Sequence, residues 1–177
     1  MIHITEKEIS YLINHMIILV DTREKRWEHI RNYFDENNIK YERRTLQSGD
    51  YSFLLKYDKE IVPFVKQIVI ERKNSLTEMA QCFTTSRERF QKEFQRLKLS
   101  ETKCFLLIED GEFDGIWQHK YDTRLNSKAM ESSLISWLTK YNITPIFTKG
   151  ENSGRVIYEI LRQYLRNTAK EQKDEED

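Results

Sequence analysis

Three carboxylates and one lysine are the groups in this chain best placed to do chemistry. Asp21 follows a short β-branched run, Asp50 sits in the Ser48-Gly49-Asp50 turn, and Glu71 closes another apolar run with Lys73 two residues on. On an extended chain, residues i and i+2 project to the same side. Glu71 and Lys73 therefore point together into whatever cleft Asp50 borders. Carboxylates gathered in one place repel one another unless positive charge lies between them. A hard divalent cation supplies that charge, and Mg²⁺ takes one or two carboxylates, waters and phosphate oxygens. A neighbouring lysine can orient or deprotonate a metal-bound water, or steady charge growing on a phosphate. This is equipment for hydrolysing a phosphodiester, although charged strand ends beside turns also make an ordinary solvated rim.

The elements that must position these groups alternate between strand and helix. Residues 17–20 form a β-branched run of the buried-strand type. Trp27, Ile30, Arg31 and Phe34 follow at helical spacing, and Asn37-Asn38 stops that helix. Extended runs are expected at 41–46, 51–56 and 65–70. Ser75 caps a helix through Leu76, Met79, Ala80 and Phe83. A second helix at 87–99 gathers Phe90, Phe94 and Leu97 on one face. A strand at 104–108 ends in Glu109-Asp110, which either joins the acidic site or caps a loop. Residues 111–126 read as irregular. A helix at 127–141, a strand at 143–147 and a helix at 153–167 complete the pattern, and Pro145 places the last strand at an edge or an end. The expected architecture is an α/β domain with a central mixed β-sheet flanked by helices. It spans residues 1–170, with residues 171–177 as a disordered acidic tail.

The order Val20-Asp21-Thr22-Arg23-Glu24, then Gly49-Asp50-Tyr51, then Ile70-Glu71-Arg72-Lys73, then Ser75-Leu76 and an Arg-rich helix resembles the XPF-type (excision-repair, Hef-like) nuclease domain, from about residue 17 to 164. The resemblance implies a restriction-endonuclease-like fold, Mg²⁺- or Mn²⁺-dependent endonuclease action on branched or flapped DNA, and a homodimer. It makes Asp21, Asp50 and Glu71 the metal-binding acids and Asp50, Glu71 and Lys73 the catalytic set. Arg23, Glu24 and Arg72 match positions that line the family's site. Arg72 projects away from Glu71 and Lys73, so an ion pair with Glu24 is its expected role. Glu24 is read equally as that partner or as a further metal group. Where the family pattern ends in Asp, this chain has Thr77 followed by Glu78, and Glu78 is the candidate to reach the same place. That departure motivates the alternative of a non-catalytic DNA- or protein-binding module. Arg87 matches a family arginine and is the expected DNA contact. Neither a helix-hairpin-helix pair nor a helicase segment is seen, which resembles the stand-alone bacterial and phage branch and a cytoplasmic setting.

The 29 basic and 29 acidic residues cancel, so the total charge gives no argument for a nucleic-acid partner. Without residues 171–177, which carry five acids and one base, 28 bases face 24 acids. No apolar run reaches the ~18 residues of a membrane span. Cys82 and Cys104 read as reduced thiols. His3, His15, His29 and His119 lack metal-ligand spacing and read as surface residues. Trp117 and Trp137 are expected in the core.

Overall fold

Alternating apolar residues build a seven-stranded sheet. The structure, a computed structural model, describes residues 5–57 and 59–171. Its strands are β1 (Met16–Val20), β2 (Tyr41–Arg43), β3 (Tyr51–Tyr57), β4 (Glu60–Pro63), β5 (Ile68–Lys73), β6 (Lys103–Glu109) and β7 (Ile143–Thr148). The spatial order is β2-β1-β3-β5-β6-β7, with β4 paired to β3. β1 and β5 run antiparallel to β3, while β5, β6 and β7 are mutually parallel. Parallel neighbours need crossovers. They are supplied by α2 (Glu28–Glu36) between β1 and β2, by α3 (Leu76–Cys82) and α4 (Arg87–Leu99) between β5 and β6, and by α5 (Phe113–Trp117) and α6 (Ser127–Tyr141) between β6 and β7. The helices α1 (Glu6–Asn14) and α7 (Ser153–Glu171) complete the chain. This is a mixed sheet with helices on both faces, the restriction-endonuclease-like architecture.

The period-2 alternation of β5 decides which face each charge joins. Ile68 and Ile70 pack into the layer of Ile18, Val20, Phe34 and Leu161, beneath α2 and α7. Val69 packs into the opposite layer with Met79, Phe90, Phe94 and Trp137. Extending the alternation sends Arg72 toward the first layer and Glu71 and Lys73 toward the second. All six residues of β5 are buried. β3 divides its edge between two partners. Tyr51 faces Ile70 of β5, while Leu54 to Tyr57 pair with β4.

Several elements depart from expectation. The strand expected at 65–70 begins at Ile68, because Phe64 O accepts from Gln67 N and Ile68 N and turns the chain first. The run expected at 41–46 stops at Arg43, and Leu46 leaves the strand to pack with Leu19 and Leu54. α1, β4 and α5 were not expected. α1 is set by a capping box in which Thr5 and Glu8 exchange hydrogen bonds. α5 turns Trp117 outward, 55% exposed, whereas Trp137 is buried as expected. β7 is an edge strand, as Pro145 predicts. Of the predicted tail, Glu171 ends α7 and residues 172–177 lie outside the described residues. Among the described residues no helix is long and apolar enough to cross a membrane.

α7 crosses α2 at a residue with no side chain. A Cβ on Gly154 would lie 2.7 Å from Tyr33 Cβ, which is close to backbone and cannot swing away. Gly154→Ala should therefore destabilise by about 1–2 kcal/mol, since overpacking exceeds the roughly 1 kcal/mol of helix propensity that Ala contributes. A thermal melt checks this, and an unchanged or raised midpoint would refute the close packing.

Candidate active site

The end of β1, the start of β3 and the end of β5 meet at one end of the sheet's central strands. Asp50 N donates to Ile70 O and Asp21 N donates to Asp50 O, both at 2.8 Å. Gly49 holds φ at 73°, and a Cβ there would lie 2.7 Å from Val69 Cβ. Only glycine fits this left-handed turn against β5. The turn delivers the Asp50 carboxylate to β5, where its Oδ2 accepts from Arg72 N at 2.8 Å.

Glu71 and Lys73 share the face that the alternation assigns to them. Lys73 Nζ donates to Glu71 Oε1 at 2.5 Å and stands 4.2 Å from the centroid of the Phe90 ring. Both side chains are almost wholly buried. Burial and then the charge of Glu71 push the Asp50 carboxyl well above its ordinary value. Burial also raises Glu71, with Lys73 pulling the other way. Burial opposes the Lys73 charge, but Glu71 and the surrounding acids outweigh it, so Lys73 stays protonated far into alkali. Two carboxylates thus meet one ammonium, which leaves negative charge uncompensated. Asp50 Oδ1 and Glu71 Oε2 accept no hydrogen bond from the described residues. No group of three or more His, Cys, Asp or Glu among those residues would by itself enclose a metal ion. Two carboxylates with free oxygens fit a Mg²⁺-like cation that keeps water and takes phosphate oxygens.

Arg72 occupies the opposite face and joins three segments. Its Nε donates to Glu109 Oε1 at 2.7 Å and its Nη2 to Glu109 Oε2 at 2.8 Å, a bidentate pair. Nη1 donates to Glu24 Oε1 at 2.5 Å, and Nη2 also reaches Arg26 O at 2.7 Å. His29 Nε2 lies 2.9 Å from Glu109 Oε1, so this histidine is not the free surface group expected of it. Burial raises Glu24, with Arg72 opposing. Burial acts to raise Glu109 as well, but the hydrogen bonds from Arg72 and the His29 contact hold it below the ordinary 4.5. The strand-end pair Glu109-Asp110 therefore divides: Glu109 anchors Arg72, and Asp110 Oδ1 accepts from Gly150 N at 2.9 Å.

The structure gathers most of the expected residues and sets others apart. A cleft of about 400 Å³ is lined by Arg23, Glu24, Asp50, Glu71, Arg72, Lys73 and Glu78. Asp21 is not on its wall. Both Asp21 oxygens are occupied, Oδ1 by Arg23 N and Nε at 2.7 Å, and Oδ2 by Arg23 Nη2 at 3.0 Å and Leu46 N at 2.7 Å. Burial acts to raise this carboxyl, but those bonds together lower it. Thr77 also points away, its Oγ1 accepting from Asp122 N at 3.0 Å. Glu78 faces the cleft instead. Its Oε2 accepts from Asn74 N at 2.9 Å and its Oε1 lies 3.9 Å from Lys73 Nζ. Arg87 stands outside the cleft, 5.9 Å over the Trp137 ring. Arg89, Glu93 and Arg96 of the same helix line it. The signal for these three was helical phase, since they lie at spacings of four and three. A second cavity, about 500 Å³ between α5 and the end of β7, is lined by Asp110 but by none of the expected metal-binding or catalytic residues.

A mixed sheet that brings Asp50 and Glu71-Arg72-Lys73 together from adjoining strand ends has the restriction-endonuclease-like fold. A family model described as the ERCC4 domain matches residues 20–160, and the chain belongs to that family, whose members are generally nucleases. Among solved structures it is similar to XPF from Aeropyrum pernix, with a TM-score of 0.62 and 18% identity over 86% of this chain and 67% of that one. XPF from Aeropyrum pernix in complex with DNA is equally similar, with a TM-score of 0.62 and 18% identity over 85% of this chain and 66% of that one. The chain thus spans about two thirds of the length of those structures, and at this identity the likeness concerns the fold. No curated protein matches it.

Arg72→Met should cost about 3–5 kcal/mol, because it leaves Glu24 and Glu109 buried without their counter-charge. Urea unfolding measures this, and a loss below 1 kcal/mol would contradict the hub. Glu109 also predicts a pH dependence. Its folded pKa lies below its unfolded one, so its stabilisation is complete above the unfolded value near 4.5 and is lost as pH falls through the folded value. The stability difference between wild type and Glu109→Gln should therefore be constant at neutral pH and shrink below about pH 4.5. A difference that grows with acid would reverse the sign and refute the assignment.

Proposed function

We propose that this chain is a Mg²⁺- or Mn²⁺-dependent endodeoxyribonuclease that hydrolyses phosphodiester bonds at branched or flapped DNA. The observation that carries the reading is the convergence of Asp50, Glu71 and protonated Lys73, with one oxygen of each acid free. Asp50 and Glu71 are the residues that would hold the cation. A bound divalent ion supplies Lewis acidity to the phosphate and a lowered pKa to an attacking water. Lys73, held charged by Glu71 and by the Phe90 face, steadies the negative charge that grows on the phosphate. Asp21 enters by holding the turn, since its N–H carries the Asp50 carbonyl and its carboxylate ties down Arg23 and Leu46. Arg72, Glu24 and Glu109 keep β5 rigid behind the acids. Glu78 stands where the family's last acid is missing and favours catalysis over a purely binding module.

Arg23 on one rim and Arg89 and Arg96 on the other suit phosphates on either side of the scissile one. They replace Arg87 as the DNA contacts of this reading. A homodimer belongs to it as well, through the flank where half-buried Phe105, Ile160 and Tyr164 lie near edge strand β7. Two free, buried thiols suit the reducing cytoplasm of a bacterial or phage-infected cell.

The test is a panel of branched, flapped and linear DNA with Mg²⁺ or Mn²⁺. Glu71→Gln and Lys73→Ala should each lower cleavage by about 10²–10⁴-fold. Equal activity in wild type and both variants would sink the assignment. Arg89→Ala with Arg96→Ala should raise KM and flatten its salt dependence, while Arg87→Ala leaves both unchanged. The reverse pattern would restore Arg87 as the contact.

A further inference from the structure

We propose that Glu93 is a positioning residue that sets Asp50 against Glu71 by clamping the turn that carries Asp50. This rests on the nuclease reading. The geometry begins at Gly49, whose N–H donates to Glu93 Oε1 at 3.0 Å. Between Leu46 and Asp50, the Gly49 amide is the one backbone donor with a partner among the described residues. The turn cannot be clamped from its own residue 49, because Gly49 lies at positive φ against Val69, where a side chain has no room. An outside acceptor is therefore needed, and a carboxylate makes a charge-assisted bond to an amide.

The helix that provides it is well anchored. α4 buries Phe90, Phe94 and Leu97. Phe90, three residues before Glu93, places its ring 4.2 Å from Lys73 Nζ. On a helix, residues three apart are neighbours. One face of α4 thus touches both halves of the site, Lys73 through Phe90 and the Asp50 turn through Glu93.

The charge of Glu93 makes its placement informative. It lines the same cleft as Asp50 and Glu71, and no ion pair holds it among the described residues. A further acid in a cleft that already holds Glu24, Asp50, Glu71 and Glu78 is unfavourable. The bond that orders the Gly49 turn is the gain that offsets this repulsion.

The experiment compares Glu93→Gln, which keeps the acceptor oxygen, with Glu93→Ala, which removes it. Gly49 amide hydrogen exchange, Mn²⁺ affinity by calorimetry, and kcat and KM for DNA are measured, with thermal melts to confirm that both variants fold. Glu93→Ala should lose Gly49 protection and weaken Mn²⁺ binding and kcat by about 10–100-fold, the usual effect of removing a group that orients a ligand, with KM unchanged. Glu93→Gln should keep all four within about threefold of wild type on the same principle. Wild-type kcat and Mn²⁺ affinity in Glu93→Ala would overturn the proposal. So would a Glu93→Gln variant as impaired as Glu93→Ala, since the charge rather than the bond would then be operative. Should wild type itself neither cleave DNA nor bind Mn²⁺, the nuclease reading fails, and Gly49 exchange alone decides the clamp. Protection lost in Ala but not Gln sustains it, and equal protection in all three overturns it.

Discussion

Arg72 is a guanidinium at the end of a buried strand, and the sheet edge is organised around keeping it paired. Its side chain is 4% exposed, so each N–H needs a protein acceptor. Glu24, Arg26 and Glu109 accept four hydrogen bonds from it, from two other segments. The loop after β1 is thereby fastened to β5, and β5 to the end of β6. The cleft exists because these three segments are held at one height. Removing the guanidinium would leave acids buried in a medium where unpaired charge is unfavourable.

Both faces of β5 gather acids around one cation. On the Arg72 side, Glu24 and Glu109 share the guanidinium through three hydrogen bonds. On the Glu71 side, Lys73 bonds Glu71, Glu78 lies 3.9 Å from its Nζ, and Asp50 and Glu71 each keep an oxygen free. One strand therefore carries two acidic clusters back to back, and the one around Arg72 fastens three segments together. Arg23, Arg89 and Arg96 line the same cleft as these acids, in a chain whose charges cancel overall.

What could be read from the residues followed from short-range rules. Alternation separated Arg72 from Glu71 and Lys73, a cap at Ser75 started α3, and apolar spacing bounded α4 at Arg87–Leu99. Long-range pairing was hidden. Nothing local to Asp21 shows that Arg23 and Leu46 occupy its oxygens, because Leu46 lies 25 residues away. Glu109 lies 37 residues from Arg72, so its part in the hub needed the parallel register of β5 and β6. Arg87 matched a motif, but helical phase turned Arg89 and Arg96 into the cleft. The apolar neighbours of Trp117 point to the core, and the short helix α5 turns it out instead.

The 37-residue interval between Arg72 and Glu109 also bears on the order of events during synthesis. A chain emerging from the ribosome makes β5 first, and Arg72 then lacks its bidentate partner until α3, α4 and all of β6 have followed. A chain that stops short of β6 cannot complete the hub, and the loop after β1 then lacks its tie through Arg72 to the end of β6. The last fastening of the cleft therefore comes from a strand that lends no side chain to its wall.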